Sequence, residues 1–255
     1  MRKSLLLTIV TLCTLPLLWL LYSAFVSPDA LFSGKSPLSL QLDGSNFKAL
    51  GEYNLWNPLA ISLFATTSVV LGQLVFGLLA AYALRVGVSL LSVFLFTLAV
   101  PAELLLIPLY GLLQKLHLLG SIWALILPFL SSPFTVFLLY QALLKLPWSY
   151  IEAARLDGAS ELRIIFGIAA PLVRPEMAAA GVIAFATHWN LVLYPKVVAG
   201  DRFPTVQVAL ADLMSKAGNN WGLLGAAALV TSLPIVALYF AFERHVVKTF
   251  EGGLK

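Results

Sequence analysis

Six long apolar stretches constrain the fold of this chain more than any other feature of its sequence. Five of them contain no charged residue, and the third is interrupted only by Glu103. A helix of about 20 apolar residues can cross the hydrocarbon core of a membrane, which is about 30 Å thick. We therefore predict about six transmembrane helices, at residues 4–26, 58–84, 88–110, 121–144, 177–195 and 221–242.

The scarcity of charge supports a membrane environment. Only 11% of the 255 residues are charged, whereas soluble domains carry about 25%. We expect an all-α polytopic membrane protein, with residues 1–255 forming one transmembrane domain. The net charge of +4 comes from scattered basic residues, which is not a nucleic-acid-binding pattern. The single cysteine, Cys13, excludes an internal disulfide and a multi-cysteine metal site, and we expect no metal.

Basic residues near the ends of the stretches predict the orientation of the chain. Arg2 and Lys3 precede the first stretch. This stretch is longer than the apolar region of a signal peptide, so we predict that it is a transmembrane helix that is not cleaved off. With six spans and a cytoplasmic N-terminus, the inner side receives ten Lys and Arg residues and the outer side six. Because cytoplasmic loops are enriched in Lys and Arg, we expect both termini to be cytoplasmic. Five or seven spans stay open through the region around Glu103.

Residues 145–175 are the polar segment between the fourth and fifth apolar stretches, and their sequence predicts two short helices. Pro147 suits the first turn of a helix, and residues 148–156 are rich in helix formers. Asp157-Gly158 then ends that helix, because glycine accepts the left-handed conformation common at helix ends. Ser160 is a good N-cap for a second helix.

The second short helix is amphipathic, and two prolines follow it. Its sequence places Leu162, Ile165, Phe166 and Ala169 on one face, and Pro171 and Pro175 are expected to end it. These signals predict an elbow of two helices near the cytoplasmic membrane surface, joined at a glycine. We call residues 145–175 the elbow.

The elbow carries a recognisable motif. Glu152-Ala153-Ala154-x-x-Asp157-Gly158-Ala159, followed by Phe166, residues 168–172 (Ile-Ala-Ala-Pro-Leu) and Pro175, resembles the EAA loop of type I ABC importer permeases. Further matches are residues 80–84 (Ala-Ala-Tyr-Ala-Leu), 107–110 (Ile-Pro-Leu-Tyr), Trp189-Asn190 and 252–255 (Gly-Gly-Leu-Lys). These resemble the carbohydrate-uptake branch of the family, the maltose-type second permease.

The resemblance implies a transport subunit rather than an enzyme, with no catalytic residue. The chain contains no Gly-x-x-x-x-Gly-Lys-Ser/Thr motif, so ATP and Mg²⁺ would be used by a partner ATPase and this chain would bind no cofactor. The implied partners are a second homologous permease, a dimer of ABC ATPases, an extracytoplasmic solute-binding protein and membrane lipid. The implied location is the bacterial plasma (inner) membrane.

The resemblance also assigns roles within the elbow. Glu152 would meet a basic group on the ATPase, Asp157 and Gly158 would set the elbow angle, and Ile151 and Leu156 would fill a groove. A moving elbow would reorient the attached spans as ATP binds. The full expected docking set is Ile151, Glu152, Ala153, Ala154, Arg155, Leu156, Asp157 and Gly158.

Polar residues within the spans are candidates for the translocation path. Amides pair with sugar hydroxyls and aromatic rings stack on sugars, but the same groups also make interhelical hydrogen bonds and interfacial belts. An intramembrane carboxylate such as Glu103 is costly and indicates function, unless it lies at the outer interface bonded to loop backbone. The candidates are Gln73, Glu103, His188, Trp189, Asn190 and Tyr194.

Two other functions are weighed against the importer. An ion- or proton-coupled secondary transporter would use Glu103 as its titrating group, although the elbow would then be idle. An intramembrane enzyme would have only His188 and Glu103 to work with. For the importer, the resemblance implies a carbohydrate solute, and Pro101-x-Glu103 also looks like glycerol-3-phosphate-type permeases.

Overall fold

The computed structural model describes residues 2–27, 42, 44–218 and 220–251, and these form helices with no strand among them. The all-α fold class predicted from the sequence is confirmed. The C-terminal motif at residues 252–255 lies outside the described residues, as do residues 28–41 and 43 between the first two apolar stretches. The described chain divides into two compact units, Met1–Ser62 with Pro204–Pro234 and Leu63–Phe203 with Ile235–Lys255.

The helices follow the apolar stretches with local breaks. In chain order they are α1 (Arg2–Ala24), α2 (Ser45–Glu52), α3 (Trp56–Arg85), α4 (Leu91–Leu98), α5 (Leu106–Lys115), α6 (Ile122–Ile126), α7 (Pro133–Lys145), α8 (Ser149–Leu156), α9 (Glu161–Ile164), α10 (Ala170–Leu172), α11 (Arg174–Trp189), α12 (Leu193–Val198), α13 (Val206–Lys216) and α14 (Trp221–Glu251). Short 3₁₀ segments cover Ala102–Leu105, Leu127–Phe129 and Gly200–Arg202, and a π-helical turn covers Ile165–Ala169.

Three helical segments of the described chain are long and apolar enough to cross a membrane, and the number rises to five if each bent pair is one span. The three are Trp56–Arg85, Ile122–Lys145 and Trp221–Glu243, and the shorter apolar helix Thr8–Ala24 covers the first stretch. The count of six spans stays a prediction. The bent pairs are Leu91–Leu98 with Glu103–Lys115, at 95°, and Glu161–Leu172 with Arg174–Trp189, at 84°.

Prolines account for the breaks. Pro101 has no N–H to donate and adopts an extended conformation (φ −59°, ψ 131°) between α4 and the next 3₁₀ segment. Pro133 is the first residue of α7, after an extended Ser132. Pro175 lies in the first turn of α11. The third stretch, which the sequence predicts as one continuous span, is therefore bent, and a second bend lies at Val173, just before the fifth stretch.

The unit formed by Met1–Ser62 and Pro204–Pro234 is held by close backbone packing. The Asn46 amide donates hydrogen bonds to the carbonyls of Ala24 and Val26, at 3.1 and 2.9 Å. Gly222 lies against the same carbonyl, because a Cβ added there would be 2.7 Å from the Val26 oxygen. The N–H of Val206, at the start of α13, donates to the Ser62 hydroxyl at 2.7 Å.

The unit formed by Leu63–Phe203 and Ile235–Lys255 places the elbow on the ends of α3 and α7. Its buried cluster combines Leu78 and Tyr82 of α3 with Leu139 and Leu143 of α7. The elbow contributes a further set to this cluster: Ile151, Ile164, Ile165, Ala169 and Val173. The elbow is therefore part of this unit's core rather than a free loop.

The second half of the elbow differs from its sequence prediction. Ile165 and Ala169 are buried as expected, but Leu162 and Phe166 are 62% and 45% exposed. The predicted face assumed a regular α-helix, whereas the chain takes a wider π-helical turn at Ile165–Ala169 that moves side chains around the axis. Pro171 does not end the helix, because it occupies the first turn of α10, where a proline is tolerated.

Candidate functional site

The glycine turn of the elbow has the predicted conformation. Gly158 has φ +78°, in the left-handed region, and α8 ends at Leu156 just before it. The N–H groups of Gly158 and Ala159 donate to the carbonyls of Arg155 and Ala154, both at 3.0 Å. These bonds close the helix end as a glycine C-cap does. Ser160 occupies the N-cap position of α9, but its side chain makes no capping hydrogen bond.

The inner face of the elbow is buried in this chain's own hydrophobic core. Ile151 is 1% exposed and packs in the cluster with the ends of α3 and α7. A side chain buried in this way cannot fill a groove on another subunit while the fold is intact. This corrects the expected role of Ile151, which is to fix α8 on the membrane-spanning helices.

The outer face of the elbow is apolar at several points. Leu156, at the end of α8, is 90% exposed. Glu152, Ala153 and Asp157, from the expected docking set, are also exposed, while Ala154 is half-buried. Tyr150, Leu162 and Phe166 add further exposed apolar surface to the same segment. Large apolar side chains left this open at a polar turn form an exposed apolar patch.

Three polar side chains tie the elbow to the end of α3, and we call them the elbow clamp: Tyr82, Arg155 and Glu161. The Tyr82 hydroxyl donates to Glu161 Oε2 at 2.6 Å. Arg155 Nε donates to Glu161 Oε1 at 2.9 Å and Nη2 donates to the Tyr82 oxygen at 3.2 Å. Arg155, expected among the docking residues, is thus bonded within its own chain.

The charges of the clamp stabilise each other. The hydrogen bond from Arg155, with a second from Tyr82, holds the pKa of the Glu161 carboxyl below its usual range. The same carboxylate raises the pKa of the Arg155 guanidinium above its usual value. Both groups are solvent-exposed, so the ion pair by itself contributes little stability. The Tyr82–Glu161 bond is short, at 2.6 Å, and part-buried, so solvent screens it less than the exposed ion pair.

Two arginine side chains lie close to the Trp148 ring beside the clamp. The Arg85 guanidinium is 4.5 Å from the centre of this ring and that of Arg155 is 5.8 Å away. The Tyr82 ring is 6.0 Å from the Trp148 ring. Arg85 Nε is buried and makes no hydrogen bond within the described part of the chain, and the guanidinium lies close enough to the Trp148 ring for a cation–π contact.

A second candidate feature is a cavity of about 280 Å³ between α3, α7 and α11. Both polar and apolar side chains line it: Gln73, Ser132, Phe134, Thr135, Ile183, Ala184, Thr187 and His188. Gln73 is buried at its wall and makes three hydrogen bonds of 3.0 Å, to the Phe129 carbonyl, to His188 Nε2 and to the Thr135 hydroxyl. Two predicted path residues, Gln73 and His188, are therefore in direct contact.

The hydrogen bonds around Gln73 fix the protonation of His188. The Phe129 carbonyl can only accept, so the Gln73 amide nitrogen faces it and the amide oxygen faces the Thr135 hydroxyl. The second hydrogen of that nitrogen then points to His188 Nε2, which must be an unprotonated acceptor. The neutral imidazole therefore carries its hydrogen on Nδ1.

The other four candidates for the path do not line the cavity. Trp189 is 1% exposed and stacks on Phe185 at 5.3 Å. The Tyr194 hydroxyl donates to the Ala124 carbonyl at 2.6 Å. Asn190 caps the end of α11 through a 2.8 Å bond to the Ala186 carbonyl.

Glu103 lies in the 3₁₀ segment at the break of the third stretch, where it is exposed. The break removes it from the continuous apolar helix in which the sequence placed it.

Sequence reasoning missed several functional candidates. Ser132, Thr135 and Thr187 line the cavity, but none of them is among the residues predicted for the path. Tyr82 lies in a segment that resembles the family, but nothing local pairs it with Glu161, 79 positions later. Among the described residues, no group of three or more His, Cys, Asp or Glu side chains could hold a metal ion.

The sequence pattern of a known family matches residues 73–251 of the chain, and the family is described as binding-protein-dependent transport system inner membrane component. The chain is 35% identical to the arabinooligosaccharides transport system permease protein AraQ of Halalkalibacterium halodurans over 229 residues, 86% of this chain and 81% of the relative. It is 30% identical to the lactose transport system permease protein LacG of Rhizobium radiobacter over 250 residues, 94% and 90% of the two chains.

A further relative has a different named solute. The chain is 31% identical to the sn-glycerol-3-phosphate transport system permease protein UgpE of Yersinia enterocolitica over 189 residues, 71% of this chain and 67% of the relative. The fold is similar to a chain in the crystal structure of a bacterial ABC transporter that imports the acidic polysaccharide alginate. That match has a TM-score of 0.81 at 23% identity and covers 95% of this chain and 94% of the other.

Proposed function

Because the chain belongs to the family of binding-protein-dependent transport system inner membrane components, it is a multi-pass membrane transport subunit and not an enzyme, and we propose that it forms half of the translocation path of an ATP-driven importer. Permeases of such importers work with ATPase and solute-binding subunits. The specific assembly that we propose has a second homologous permease, a dimer of ABC ATPases that uses ATP and Mg²⁺, and an extracytoplasmic solute-binding protein.

The outer face of the elbow is the proposed ATPase-docking surface. The observation that carries this proposal is the 90% exposure of Leu156 at the glycine turn. Glu152 and Asp157 lie exposed on either side of it in sequence, so an apolar contact would be flanked by carboxylates that can meet basic groups. Ala153 adds a small exposed side chain that permits close approach. We place this surface on the cytoplasmic side, together with both termini.

The proposed coupling route runs through the elbow core and the elbow clamp. Ile151, Ile164 and Ile165 anchor the elbow in one buried cluster with the ends of α3 and α7. The clamp adds directional bonds from Arg155 and Glu161 to Tyr82. Packed cores move as units rather than deforming continuously. A displacement of the elbow by a closing ATPase dimer would therefore move the ends of α3 and α7 with it.

The proposed solute is a carbohydrate or a sugar-like compound. Relatives named for arabinooligosaccharide, lactose and sn-glycerol-3-phosphate transport support this class. Within the chain, Gln73 and His188 are the residues proposed to line the path, because both face the cavity. The secondary-transporter alternative is not favoured. Its titrating group, Glu103, lies exposed at a helix break outside that cavity.

Affinity purification from the native membrane tests the proposed function. The tagged chain is extracted in mild detergent and its co-purifying proteins are identified by mass spectrometry. We expect a P-loop ATPase and a second permease to accompany it. A chain that purifies alone, monodisperse and stable, would contradict the importer. The Leu156→Asp variant, made in parallel, should lose the ATPase while keeping the second permease, and it serves as the internal control for specific association.

A further inference from the structure

We infer that the cavity beside Gln73 and His188 is a subsite for one ring of an uncharged polyhydroxylated solute and that it discriminates against phosphorylated solutes. The inference rests on the proposed function, since it names the solute class that the permease would pass. The relatives are named for neutral sugars and for a phosphorylated compound, and the inference predicts which of these two solute classes this chain passes.

The side chains that line the cavity cannot neutralise a phosphate. None of the eight is a lysine or an arginine, the residues that usually recognise phosphate in proteins. The imidazole of His188 is held neutral in the ground state, because its Nε2 accepts a hydrogen bond from Gln73. Moving an anion from water into such a cavity would cost its hydration without a compensating charge.

The same side chains suit sugar hydroxyls. A sugar hydroxyl both donates and accepts, so it can pair with the hydroxyls of Ser132 and Thr187 on the cavity wall. With Nε2 of His188 occupied, its Nδ1–H is left as a donor, and no hydrogen bond to this nitrogen is found in the described part of the chain. Thr187 already donates to the Ile183 carbonyl at 2.8 Å, so its remaining capacity is to accept.

Apolar walls and size complete the match. Phe134, Ile183 and Ala184 line the cavity between the polar groups and can cover the C–H faces of a sugar ring. The volume of about 280 Å³ is at the lower end of the range of roughly 300–1,000 Å³ for small-molecule pockets. A cavity of this size holds a single ring, so a longer saccharide would pass through it one unit at a time.

Direct binding to the assembled importer tests the inference. The complex with its permease and ATPase partners, in lipid nanodiscs without the solute-binding protein, is titrated calorimetrically. The neutral probes are lactose, an arabinan disaccharide and diacetylchitobiose, and the anionic probe is sn-glycerol-3-phosphate. We expect at least one neutral probe to bind at least about tenfold more tightly than the phosphate. Preference for the phosphate, or binding of neither class, overturns the inference.

Charge substitutions at Thr187 locate the binding in this cavity. This residue is exposed to it, so Thr187→Lys and Thr187→Glu should leave the fold intact. For a neutral solute, both should weaken the best neutral probe by about tenfold or more, while Thr187→Ser keeps its affinity. An anionic solute would instead bind the lysine variant more tightly than the parent. Unchanged affinity of the neutral probe in both charged variants would also overturn the inference.

Failure of the inference can be separated from failure of the proposed function. Assembly of the complex is scored by co-purification before any titration. If no ATPase accompanies the chain, the proposed function fails. If the complex assembles and prefers sn-glycerol-3-phosphate, only the solute class is wrong. A second variant, Gln73→Leu, removes the amide from the wall. Its loss of neutral-probe binding supports the inference provided that its thermal unfolding matches that of the parent complex.

Discussion

The Tyr82 hydroxyl donates a 2.6 Å hydrogen bond to Oε2 of Glu161, and this bond joins the end of a membrane-spanning helix to the elbow. The two residues are 79 positions apart in the chain. Tyr82 is 4% exposed and also belongs to the apolar cluster that holds Ile151. One side chain therefore contributes both to the packing and to the polar attachment of the elbow.

Tyr82→Phe should weaken the transmission of elbow movement. The ring keeps its packing, but the short hydrogen bond to the Glu161 carboxylate is lost. We expect the solute transported per ATP hydrolysed to fall several-fold, with the ATPase still bound. Uptake and ATP hydrolysis are measured together in proteoliposomes. Tyr150→Phe, at an exposed tyrosine of the same elbow, is the matched control, and equal coupling in the two variants would refute the role of the clamp.

The contribution of Glu161 should depend on pH with a defined sign. Its pKa is lowered in the folded chain, mainly by the hydrogen bond from Arg155. A group of this kind stabilises the fold above the pKa that it has when unfolded, about 4.3 for glutamate, and the stabilisation is lost as the pH falls through the lower folded value. The thermal-stability difference between the parent and Glu161→Gln should therefore be constant from pH 7 to pH 5. It should shrink only below about pH 4.3. A difference that disappears already between pH 7 and pH 5 would show that another group dominates.

Leu156 and Ile151 should separate docking from stability, although both are apolar residues of α8. Leu156→Ala removes a side chain that is 90% exposed, so stability should hardly change while the affinity for the ATPase falls. Ile151→Ala empties a site that is 1% exposed and should cost about 2–5 kcal/mol of stability. Thermal unfolding and quantitative co-purification are measured for both variants. Loss of stability in the Leu156 variant with intact docking would reverse the assignment of the two faces.

These two residues also mark what the sequence can and cannot predict. Asp157-Gly158 and Ser160 located the turn of the elbow, because helix ends depend on local backbone chemistry. The face of Ile151 could not be assigned, since its burial depends on α3 and α7, which are remote in sequence. The same limit applies to the cavity. Gln73 and His188 were recognised as polar residues in apolar surroundings, but their contact spans 115 positions. The break at Val173 lies between the two prolines that were expected to end the second elbow helix, but neither its angle of 84° nor the bend of 95° at Glu103 is contained in a hydropathy pattern.

Gly158→Ala should strain the elbow without a steric clash. Nothing lies within 4 Å of a Cβ built at this position, so the cost arises from the backbone, whose φ is +78°. A left-handed conformation costs a residue with a side chain about 1–2 kcal/mol. We expect that loss in stability, accompanied by weaker ATPase association because the angle between α8 and α9 shifts. Gly167→Ala is the control, since its added Cβ meets only the Arg163 side chain at 4.0 Å. Equal effects of the two substitutions would contradict the conformational explanation.

Reporter fusions should place the elbow on the cytoplasmic side and decide how many times the chain crosses the membrane before it. Fusions after Arg85 and after Leu156 are expected to be cytoplasmic, and a fusion after Lys115 external, because Lys and Arg are concentrated on the cytoplasmic side of the six-span arrangement. The bent pair Leu91–Leu98 and Glu103–Lys115 makes this arrangement testable. If that pair entered and left on one side, the fusion after Lys115 would have the same location as the one after Arg85.

The next crossing, by Ile122–Lys145, would then carry Leu156 to the opposite side. One fusion before the bent pair and two after it therefore report the parity of the crossings directly. A cytoplasmic signal after Lys115, combined with an external signal after Leu156, would contradict both the span count and the docking surface. An ATPase in the cytoplasm could not reach an external Leu156, so the proposed coupling route would fail with the topology.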